Sequence, residues 1–345
     1  MRRSPDPSTS HPHELVEAAR SGDEEAFGSL VDAHRRELHV HCYRMLGSLQ
    51  DAEDALQEVL VRAWRALPQL ERSDWLRAWL YKIATNVCLT ALSRRGPRRL
   101  PADQAAPGDR GGDPGEPLAH SVWIEPYPDE KLGPASGLPT PEARYEQREA
   151  VELAFIASLQ FLPARQRAVL ILRDVLAFSA REVATLLDTS VPAVNSCMQR
   201  ARRTLDERLP DQSQQDVLRL LGDEQTRDLV TRFADAFERG DVEGIIDLLV
   251  EDATFTMPPY DAWYRGRDAV ARSWLMPDAA PPVLRAVVTR ASGQPALAFY
   301  RLDEREGAYL PLALDVLTVQ GGRIAAVTAF RNPGLFRQFD LPDRL

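Results

Sequence analysis

A proline- and glycine-rich stretch, residues 96–141, divides this chain of 345 residues into two parts. Proline removes a backbone donor and glycine relaxes the backbone, so regular helices and strands seldom continue through such a composition. The stretch therefore predicts a flexible linker. Because domains usually hold about 100 to 200 residues, the length also predicts a multidomain protein.

Helical periodicity marks both sides of this linker. From residue 14 to residue 95, apolar residues recur every three or four positions, which predicts an all-helical domain. A second helical block covers residues 142–209, and a short second linker is predicted over 210–222. Residues 1–13 lack any periodic pattern and are predicted to be disordered.

Residues 223–340 predict a different kind of domain. Two helices over 222–250 precede a β-rich run at 253–259, and a third helix is predicted over 266–274. Four alternating segments then follow within 284–331, separated by turns that hold glycine or charged residues. This order predicts an antiparallel sheet backed by helices, an α+β domain.

The charge and hydropathy of the chain limit its partners. The net charge is −9, which is the wrong sign for holding nucleic acid by bulk electrostatics, so DNA binding must come from local basic patches. No apolar run approaches the roughly 20 residues that cross a bilayer. The first residues also lack an apolar signal core. We therefore expect a cytoplasmic protein without a membrane partner.

The cysteines and histidines do not predict a metal site. Cys42, Cys88 and Cys197 lie too far apart in sequence to form a CxxC pair. On a helix, His39 and His41 project about 200° apart, so they cannot share one ion. We expect no metal and no cofactor.

The clearest motif lies at residues 178–205, FSAREVATLLDTSVPAVNSCMQRARRTL. Ser179 and Glu182 form a capping box that begins one short helix. Ser190 caps a second helix, whose first turn holds Pro192, where the missing N–H costs nothing. Two capped helices joined by a tight turn predict a helix-turn-helix.

The second of these helices carries residue types that bind bases. Val194, Met198 and Leu205 are predicted to face inward. In a helix-turn-helix the second helix enters the major groove, where Asn or Gln pairs with adenine and Arg with guanine. A solvated helical hairpin with an arginine-rich face is the alternative. The candidate DNA contacts are Ser190, Asn195, Ser196, Gln199, Arg200, Arg202 and Arg203.

Two motif blocks resemble the extracytoplasmic-function sigma factors. Residues 162–205 resemble the domain of that family that binds the promoter −35 element. Residues 46–67 (LGSLQDAEDALQEVLVRAWRAL) and 74–95 (DWLRAWLYKIATNVCLTALSRR) resemble its domain for polymerase and −10 binding. The resemblance implies a sigma factor that binds core RNA polymerase, at the clamp of the largest subunit and at the flap region, and directs promoter recognition.

An acidic stretch early in the chain fits this interpretation. Acidic side chains without a neighbouring base suit a basic protein surface rather than DNA. The resemblance implies that this helix grips the polymerase clamp, whereas a solvated acidic helix face is the alternative. The candidate polymerase contacts are Asp51, Glu53, Asp54, Gln57 and Glu58.

The helix that follows combines aromatic and basic residues, which suit melted DNA. Stacking on an aromatic side chain contributes ~1 to 3 kcal/mol per base. The resemblance implies that the loop 68–73 holds a flipped base and that Asn86 contacts the strand. Burial of Trp79 in the core is an alternative for that residue. The candidate −10 contacts are Trp75, Trp79, Lys82, Asn86, Arg94 and Arg95.

Residues 120–130 (HSVWIEPYPDE) lie inside the linker but are too apolar for a segment that is only solvated. They predict a docking peptide, with a chance apolar cluster as the alternative. In related sigma factors a C-terminal extension pairs with such a motif and with an NP-containing tail, matched here by residues 331–333.

The C-terminal domain resembles the SnoaL-like, ketosteroid-isomerase-like cone fold (NTF2-like). The resemblance rests on residues 233–259 followed by WYRGRDAV at 263–270. The fold class is thus two all-α sigma domains, the second a helix-turn-helix, plus an α+β cone. Residues that could line an apolar ligand pocket are Phe255, Met257, Trp263, Tyr264, Trp274, Phe299 and Tyr300.

Catalysis by this cone domain is not expected. The domain has no histidine, and its candidate carboxylates are Asp252, Asp261 and Asp315. We expect it to regulate the sigma factor by contacting the linker and the sigma domains, with or without a small ligand. The alternative function is a helix-turn-helix regulator fused to a ligand-sensing or enzymatic cone domain. Such a regulator would have no use for the acidic residues between Asp51 and Glu58.

Overall fold

The computed structural model describes most of the chain. The described residues are 12–70, 75–103, 106–108, 116–119, 122–132, 149–274 and 283–345. They belong to two compact units, one formed by residues 1–96 and 162–207 and the other by residues 97–161 and 208–345. Within the described ranges, no helix is both long enough and apolar enough to span a bilayer.

The two units together contain thirteen α-helices in the described residues. In chain order they are α1 (Pro12–Arg20), α2 (Glu24–Leu46), α3 (Leu49–Ala66), α4 (Leu76–Leu92), α5 (Leu153–Gln160), α6 (Ala164–Leu170), α7 (Ala180–Leu186), α8 (Val191–Asp206), α9 (Gln214–Leu221), α10 (Asp223–Arg239), α11 (Val242–Asp247), α12 (Arg267–Trp274) and α13 (Gly334–Gln338).

In the first unit, α2, α3 and α4 pack around a shared apolar core. Asp23 begins α2 by accepting hydrogen bonds from the backbone N–H groups of Glu25 and Ala26. Gly47 ends it with a left-handed φ of 71°, a conformation that costs glycine little. The side chain of Ser48 then caps α3 at once. The predicted all-helical domain is confirmed.

The second half of the first unit is a helix-turn-helix made by α7 and α8. The predicted capping box is present, because the Ser179 hydroxyl accepts from the Glu182 N–H at 3.2 Å and the Glu182 carboxylate accepts from the Ser179 N–H at 2.7 Å. Asp188 makes the turn with φ of 47°. Val194 and Met198 are buried, as the pattern predicted. The predicted helix-turn-helix is confirmed.

The second unit contains a six-stranded sheet in the order β2-β1-β6-β5-β4-β3. Its strands are β1 (Leu249–Thr256), β2 (Trp263–Arg265), β3 (Leu284–Ala291), β4 (Gln294–Asp303), β5 (Ala308–Gln320) and β6 (Arg323–Phe330). The antiparallel pairing predicted for the four last strands is confirmed, since β3, β4, β5 and β6 pair antiparallel in sequence order. The parallel pairing of β1 with β6 was not predicted. These strands are distant in sequence, so no hairpin turn sets their relative direction.

One face of this sheet packs against α10, α11 and α12. The core cluster joins helix residues such as Phe233 and Val270 to strand residues such as Phe255, Leu297 and Leu317. Alternate residues of each strand therefore point into a single apolar core. This arrangement is the predicted α+β cone.

The short second linker is partly helical. Residues 210–222 were predicted to be a linker; within them Gln214–Leu221 form α9, and Gln214 and Gln215 are buried. Ser213 caps the helix by accepting a hydrogen bond from the Asp216 N–H at 3.1 Å. The polar sequence of this segment is typical of a loop. Its burial was not predictable, because the side-chain amides of the two glutamines form their hydrogen bonds with residues that are distant in sequence.

Candidate nucleic-acid and polymerase interfaces

The outward side of α8 carries most of the predicted −35 contacts. Asn195, Gln199, Arg200 and Arg203 are exposed, and we call these four residues the recognition face. Because Val194 and the other apolar residues of α8 anchor the helix inward, this face is held rigidly outward. It can present amide and guanidinium groups to the edges of bases.

The three remaining −35 candidates already have partners within the first unit. Ser190 caps α8 by accepting from the Ala193 N–H at 3.3 Å. Ser196 is half-buried and accepts from Arg200 Nη1 at 2.8 Å. Arg202 donates to both carboxylate oxygens of Asp174, at 2.8 and 3.2 Å. The Asp174 carboxylate uses Nε and Nη2 of Arg202, so this pair orients the guanidinium and lowers its net positive charge toward a phosphate.

The predicted −10 residues lie along α4 and just after it. Trp75 is 54% exposed, whereas Trp79 is half-buried. Asn86 and Arg94 are exposed. The loop predicted to hold a flipped base is described only as far as residue 70; its residues 71–73 lie outside the described ranges.

Two basic −10 candidates are engaged in ion pairs. Lys82 Nζ lies 2.8 Å from Asp188 Oδ1, in the turn of the helix-turn-helix, and 3.4 Å from the Thr185 carbonyl oxygen. Arg95 donates to Asp51, and this carboxylate raises the pKa of Arg95. Arg95 is a predicted −10 contact and Asp51 is a predicted polymerase contact, so this ion pair links the two predicted interfaces.

The other predicted polymerase contacts form one continuous surface on α3. Glu53, Asp54, Gln57 and Glu58 are exposed, and we call them the acidic face. The opposite side of the helix is buried through Ala52, Leu56 and Val59. Burial of one side fixes the acidic face toward solvent, where it can meet a basic protein surface.

Sequence reasoning missed the contacts of two arginines within the first unit, Arg77 on α4 and Arg167 on α6. The guanidinium of Arg77 lies 5.1 Å from the ring centres of both Tyr81 and Phe178. Arg167 on α6 is 2% exposed and donates to the carbonyl oxygens of Met45 and Leu162. Burial lowers the pKa of Arg167 to about 10. An arginine on an amphipathic helix indicates a solvated position, so the sequence carried no signal for this contact.

The histidines of α2 are part of the core. His41 is fully buried, and its Nε2 lies 3.0 Å from the Thr85 hydroxyl. Burial lowers the pKa of His41 to about 3, so the imidazole is neutral. Among the residues with assigned positions, no three His, Cys, Asp or Glu side chains are grouped so that they could hold a metal ion.

The apolar segment of the long linker packs against the sheet of the second unit. Trp123 is 2% exposed, and Ile124 and Tyr127 are completely buried. The Tyr127 N–H donates to the Ser292 hydroxyl at 3.0 Å, and its carbonyl accepts from the Ser292 N–H at 2.7 Å. We call residues 122–132 the linker segment. Most of these residues were predicted to form a docking peptide. Their apolar side chains are buried, Tyr127 is hydrogen-bonded to the turn at Ser292, and the Ile124 N–H donates to the Arg99 carbonyl, so the segment is not simply solvated linker.

Charged groups fix the ends of the linker segment. Asp129 accepts from Arg290 Nε at 3.0 Å and from the Gly293 N–H at 2.8 Å. Arg98 is buried and donates to the Trp123 carbonyl at 2.7 Å. The linker segment therefore holds the Arg98 guanidinium away from solvent.

A buried carboxylate connects α5 to α9 and the sheet. Glu152 accepts from the N–H groups of Gln214 and Gln215 at 3.1 and 2.9 Å. Gln215 also donates to the Gly293 carbonyl at 2.7 Å, and Gln214 exchanges two hydrogen bonds with the backbone of Val319. Desolvation raises the pKa of Glu152 to about 7, against the lowering effect of these donors.

Most of the proposed pocket residues belong to the core of the SnoaL-like domain. Phe255, Met257, Tyr264 and Phe299 belong to the core cluster, and Trp274 packs against it. Trp263 is buried but lies outside the cluster.

The inclusion of Tyr300 among the pocket residues is wrong. Its ring packs on Phe336 at 5.1 Å and its hydroxyl donates to the Pro342 carbonyl. Adjacent strand residues point to opposite faces, so Phe299 and Tyr300 cannot both face the core.

Comparison with known proteins agrees with this architecture. Family models match residues 30–98 as Sigma-70 region 2, residues 152–205 as Sigma-70 region 4, and residues 230–327 as a SnoaL-like domain. Regions 2 and 4 in this order define a sigma factor of the sigma-70 class.

Individual relatives identify the family within the sigma-70 class. The ECF RNA polymerase sigma factor SigG of Mycobacterium tuberculosis is 42% identical over 332 residues, covering 94% of this chain and 86% of the relative. The ECF sigma factor SigW of Bacillus subtilis is 26% identical over 200 residues, covering 57% of this chain and 95% of the relative. The crystal structure of M. tuberculosis SigJ has a similar fold, with a TM-score of 0.54, 23% identity, and coverage of 91% of this chain and 99% of that one.

The chain belongs to the extracytoplasmic-function family of RNA polymerase sigma factors and carries a C-terminal SnoaL-like domain. It is an initiation factor and not an enzyme. Membership implies binding to core RNA polymerase and promoter DNA. The alternative of a free-standing helix-turn-helix regulator does not account for region 2.

Proposed function

We propose that the SnoaL-like domain regulates this sigma factor by binding the linker segment, which lies in sequence between regions 2 and 4. The observation that carries the proposal is the burial of Trp123, Ile124 and Tyr127 against the sheet. A linker held at its middle restricts how the two promoter-binding regions can be spaced. A tethered partner acts at millimolar effective concentration, so weak docking is enough to shift an equilibrium.

Within this proposal each interface has a separate task. The acidic face and Asp51 bind the clamp of the largest polymerase subunit, and region 4 also meets the flap region. The recognition face binds the −35 element, together with Ser190, Ser196 and Arg202. The −10 element is bound by Trp75, Trp79, Lys82, Asn86, Arg94 and Arg95. Since core polymerase transcribes the chromosome, the proposal implies action in the cytoplasm.

Transcription from linker variants tests the proposal. Trp123→Ala should release the linker segment, because removing a buried indole costs ~3 to 5 kcal/mol of packing. We expect run-off transcription by reconstituted holoenzyme to change about fivefold or more, the scale of allosteric coupling. The template is a promoter selected with the wild-type holoenzyme.

Trp123→Phe is the matched control, since it keeps an aromatic ring in the same site. Its transcription should stay near the wild-type level. A Trp123→Ala protein that remains folded by circular dichroism and transcribes like wild type contradicts the regulatory role.

The ion pair between Lys82 and Asp188 gives a second test, on DNA binding. Asp188→Asn should free Lys82 for phosphate and raise the affinity of the free chain for a −10 single strand. Exposed pairs contribute ~0.2 to 1 kcal/mol, so the expected gain is about 1.4- to 5-fold. Fluorescence anisotropy with a labelled oligonucleotide measures it.

The same substitution in a Lys82→Ala background is the control for this test. There, Asp188→Asn should change the affinity very little. An equal gain in both backgrounds would mean that the effect comes from total charge and not from the pair.

A further inference from the structure

The chain passes between its two compact units at three places. Since residues 97–161 and 208–345 make up the second unit, these connections follow residues 96, 161 and 207. The first connection comes at the end of region 2, and the helix-turn-helix lies in sequence between the second and the third. The way in which the second unit holds these connections therefore bears on both promoter-binding regions.

All three connections leave the second unit beside one aromatic ring. Phe161 is the last residue before the second connection, and two arginines contact its ring. The guanidinium carbon of Arg208, the first residue after the third connection, lies 3.5 Å from the ring centre. That of Arg99, just after the first connection, lies 5.5 Å from it. Both distances are within the ~6 Å at which a guanidinium interacts with an aromatic face. We call Arg99, Phe161 and Arg208 the junction.

A carboxylate offsets the charge of the two arginines. Burial raises the pKa of Asp103, against the lowering effects of the hydrogen bond from the Leu100 N–H and of the charges of Arg208 and Arg99. The Leu100 nitrogen lies 3.1 Å from Asp103 Oδ2, which fixes the carboxylate. Because a nearby negative charge offsets the repulsion between two positive ones, both arginines can share the ring of Phe161.

The backbone of Arg99 is held by the linker segment. Its N–H donates to the Val122 carbonyl at 2.9 Å, and its carbonyl accepts from the Ile124 N–H at 3.1 Å. Arg99 thereby forms a parallel bridge with Trp123. The side chain of the same residue reaches Phe161, so any change in the docking of the linker segment also acts on the junction.

Helix α5 connects the junction to the sheet. Its first backbone N–H, that of Leu153, donates to Gln294 Oε1 on β4 at 3.3 Å. The helix has eight residues and is about 12 Å long, and Phe161 follows its last residue directly. The family model for region 4 begins at residue 152, so the first helix of region 4 belongs to the second unit. The sheet holds one end of α5, and the junction holds the other.

We propose that the junction is the joint that couples docking of the linker segment to region 4, so that it fixes the spacing at which regions 2 and 4 are presented to a promoter. Each of its three side chains belongs to a different connection, and Arg99 and Phe161 are also fixed through the linker segment and α5. The inference deepens the proposed regulatory function, on which its role in transcription rests. The coupling itself is measured without transcription, so the two proposals can fail separately.

Hydrogen exchange in the full-length chain tests the coupling. Arg208→Met removes the closer guanidinium. We expect the linker segment, measured by mass spectrometry, to exchange about two- to fivefold faster, the effect of losing one exposed cation–π contact. Phe161→Leu, which removes the ring that both arginines share, should accelerate exchange more. Unchanged exchange of the linker segment in both variants overturns the proposal.

Two controls separate the junction from charge and from general loosening. Arg227→Met makes the same change at an exposed arginine of α10 and should leave exchange of the linker segment as in the wild type. Phe161→Tyr keeps the ring and should also behave like the wild type. In the Phe161→Leu background, Arg208→Met should add nothing. Equal acceleration by Arg208→Met and Arg227→Met would assign the effect to total charge and overturn the junction.

Promoters with altered spacers test what the junction does for the holoenzyme. The −35 to −10 distance of a selected promoter is lengthened or shortened by one and two base pairs. Wild-type run-off transcription should fall with each change, and Phe161→Leu should reduce this fall at least twofold. Faster exchange together with an unchanged spacer dependence would make the junction a stabilising contact only and overturn the proposal. If Trp123→Ala alters transcription while the junction variants change neither measurement, the junction fails and the regulatory proposal stands.

Discussion

Replacing Asn195 and Gln199 together by alanine should reduce promoter-specific initiation by about 30-fold or more. The two residues lie one helical turn apart on the recognition face, so both can reach the same stretch of the major groove. Each well-formed contact between an amide and a base contributes ~1 to 3 kcal/mol of discrimination. The measurement is run-off transcription by holoenzyme on a selected promoter and on the same promoter with its −35 element scrambled.

Arg203→Ala provides the control for this prediction. An exposed arginine at this end of the helix is expected to contact phosphate, so its loss should weaken binding to both templates alike. The double variant should instead lower activity on the selected promoter and leave the scrambled one unchanged. Equal losses on both templates from the double variant would show that α8 does not discriminate between bases.

Glu152→Ala should lower the free energy of unfolding of the second unit by about 3 kcal/mol. The substitution leaves the backbone N–H groups of Gln214 and Gln215 buried without an acceptor, and each such group costs ~1 to 3 kcal/mol. Urea unfolding followed by circular dichroism measures the loss. Glu149→Ala is the comparison, since Glu149 binds the Ser213 hydroxyl at a half-buried position and accepts no hydrogen bond from the α9 backbone. A Glu152→Ala loss no larger than that of Glu149→Ala would contradict the role given to the buried carboxylate.

The same carboxylate makes stability depend on pH. Its pKa is about 7 in the folded chain, above the usual value of 4.5. Between these pH values the folded state holds a proton that the unfolded chain has lost, so stability falls as the pH rises through this window. Glu152→Gln should flatten the decline measured by thermal unfolding. Burial also raises the pKa of Asp315 to about 7, so the flattening is partial. An unchanged slope in Glu152→Gln contradicts the raised pKa.

Predictions from the sequence were accurate where a feature depends on residues close together in the chain, and they failed where it depends on residues far apart. The helix-turn-helix was predictable because Ser179, Glu182 and Val194 act within a few residues of one another. The direction of β6 beside β1 was not predictable, because no local turn connects the two strands. The helix at Gln214–Leu221 was missed because its glutamines depend on Glu152 and Val319, which are far away in sequence.

The sites show the same division. Sequence patterns identified the recognition face and the acidic face, because an exposed polar surface is defined by the apolar residues on the other side of its own helix. They did not reveal that Lys82, Arg95 and Arg202 are engaged by carboxylates, or that Arg98 and Arg167 are buried. From the sequence alone, arginine and lysine predict solvent-exposed positions.

The amino-acid sequence by itself determined the helices of the two sigma regions, the capping of the helix-turn-helix, and which faces of these helices point outward, since these features depend on interactions over one or two turns. Only the tertiary structure decided that the linker segment lies against the sheet, that Glu152 joins α5 to α9, and that Arg99 and Arg208 contact the ring of Phe161. Each of those contacts links residues that are distant along the chain, and their desolvation and hydrogen bonding exist only after folding brings them together.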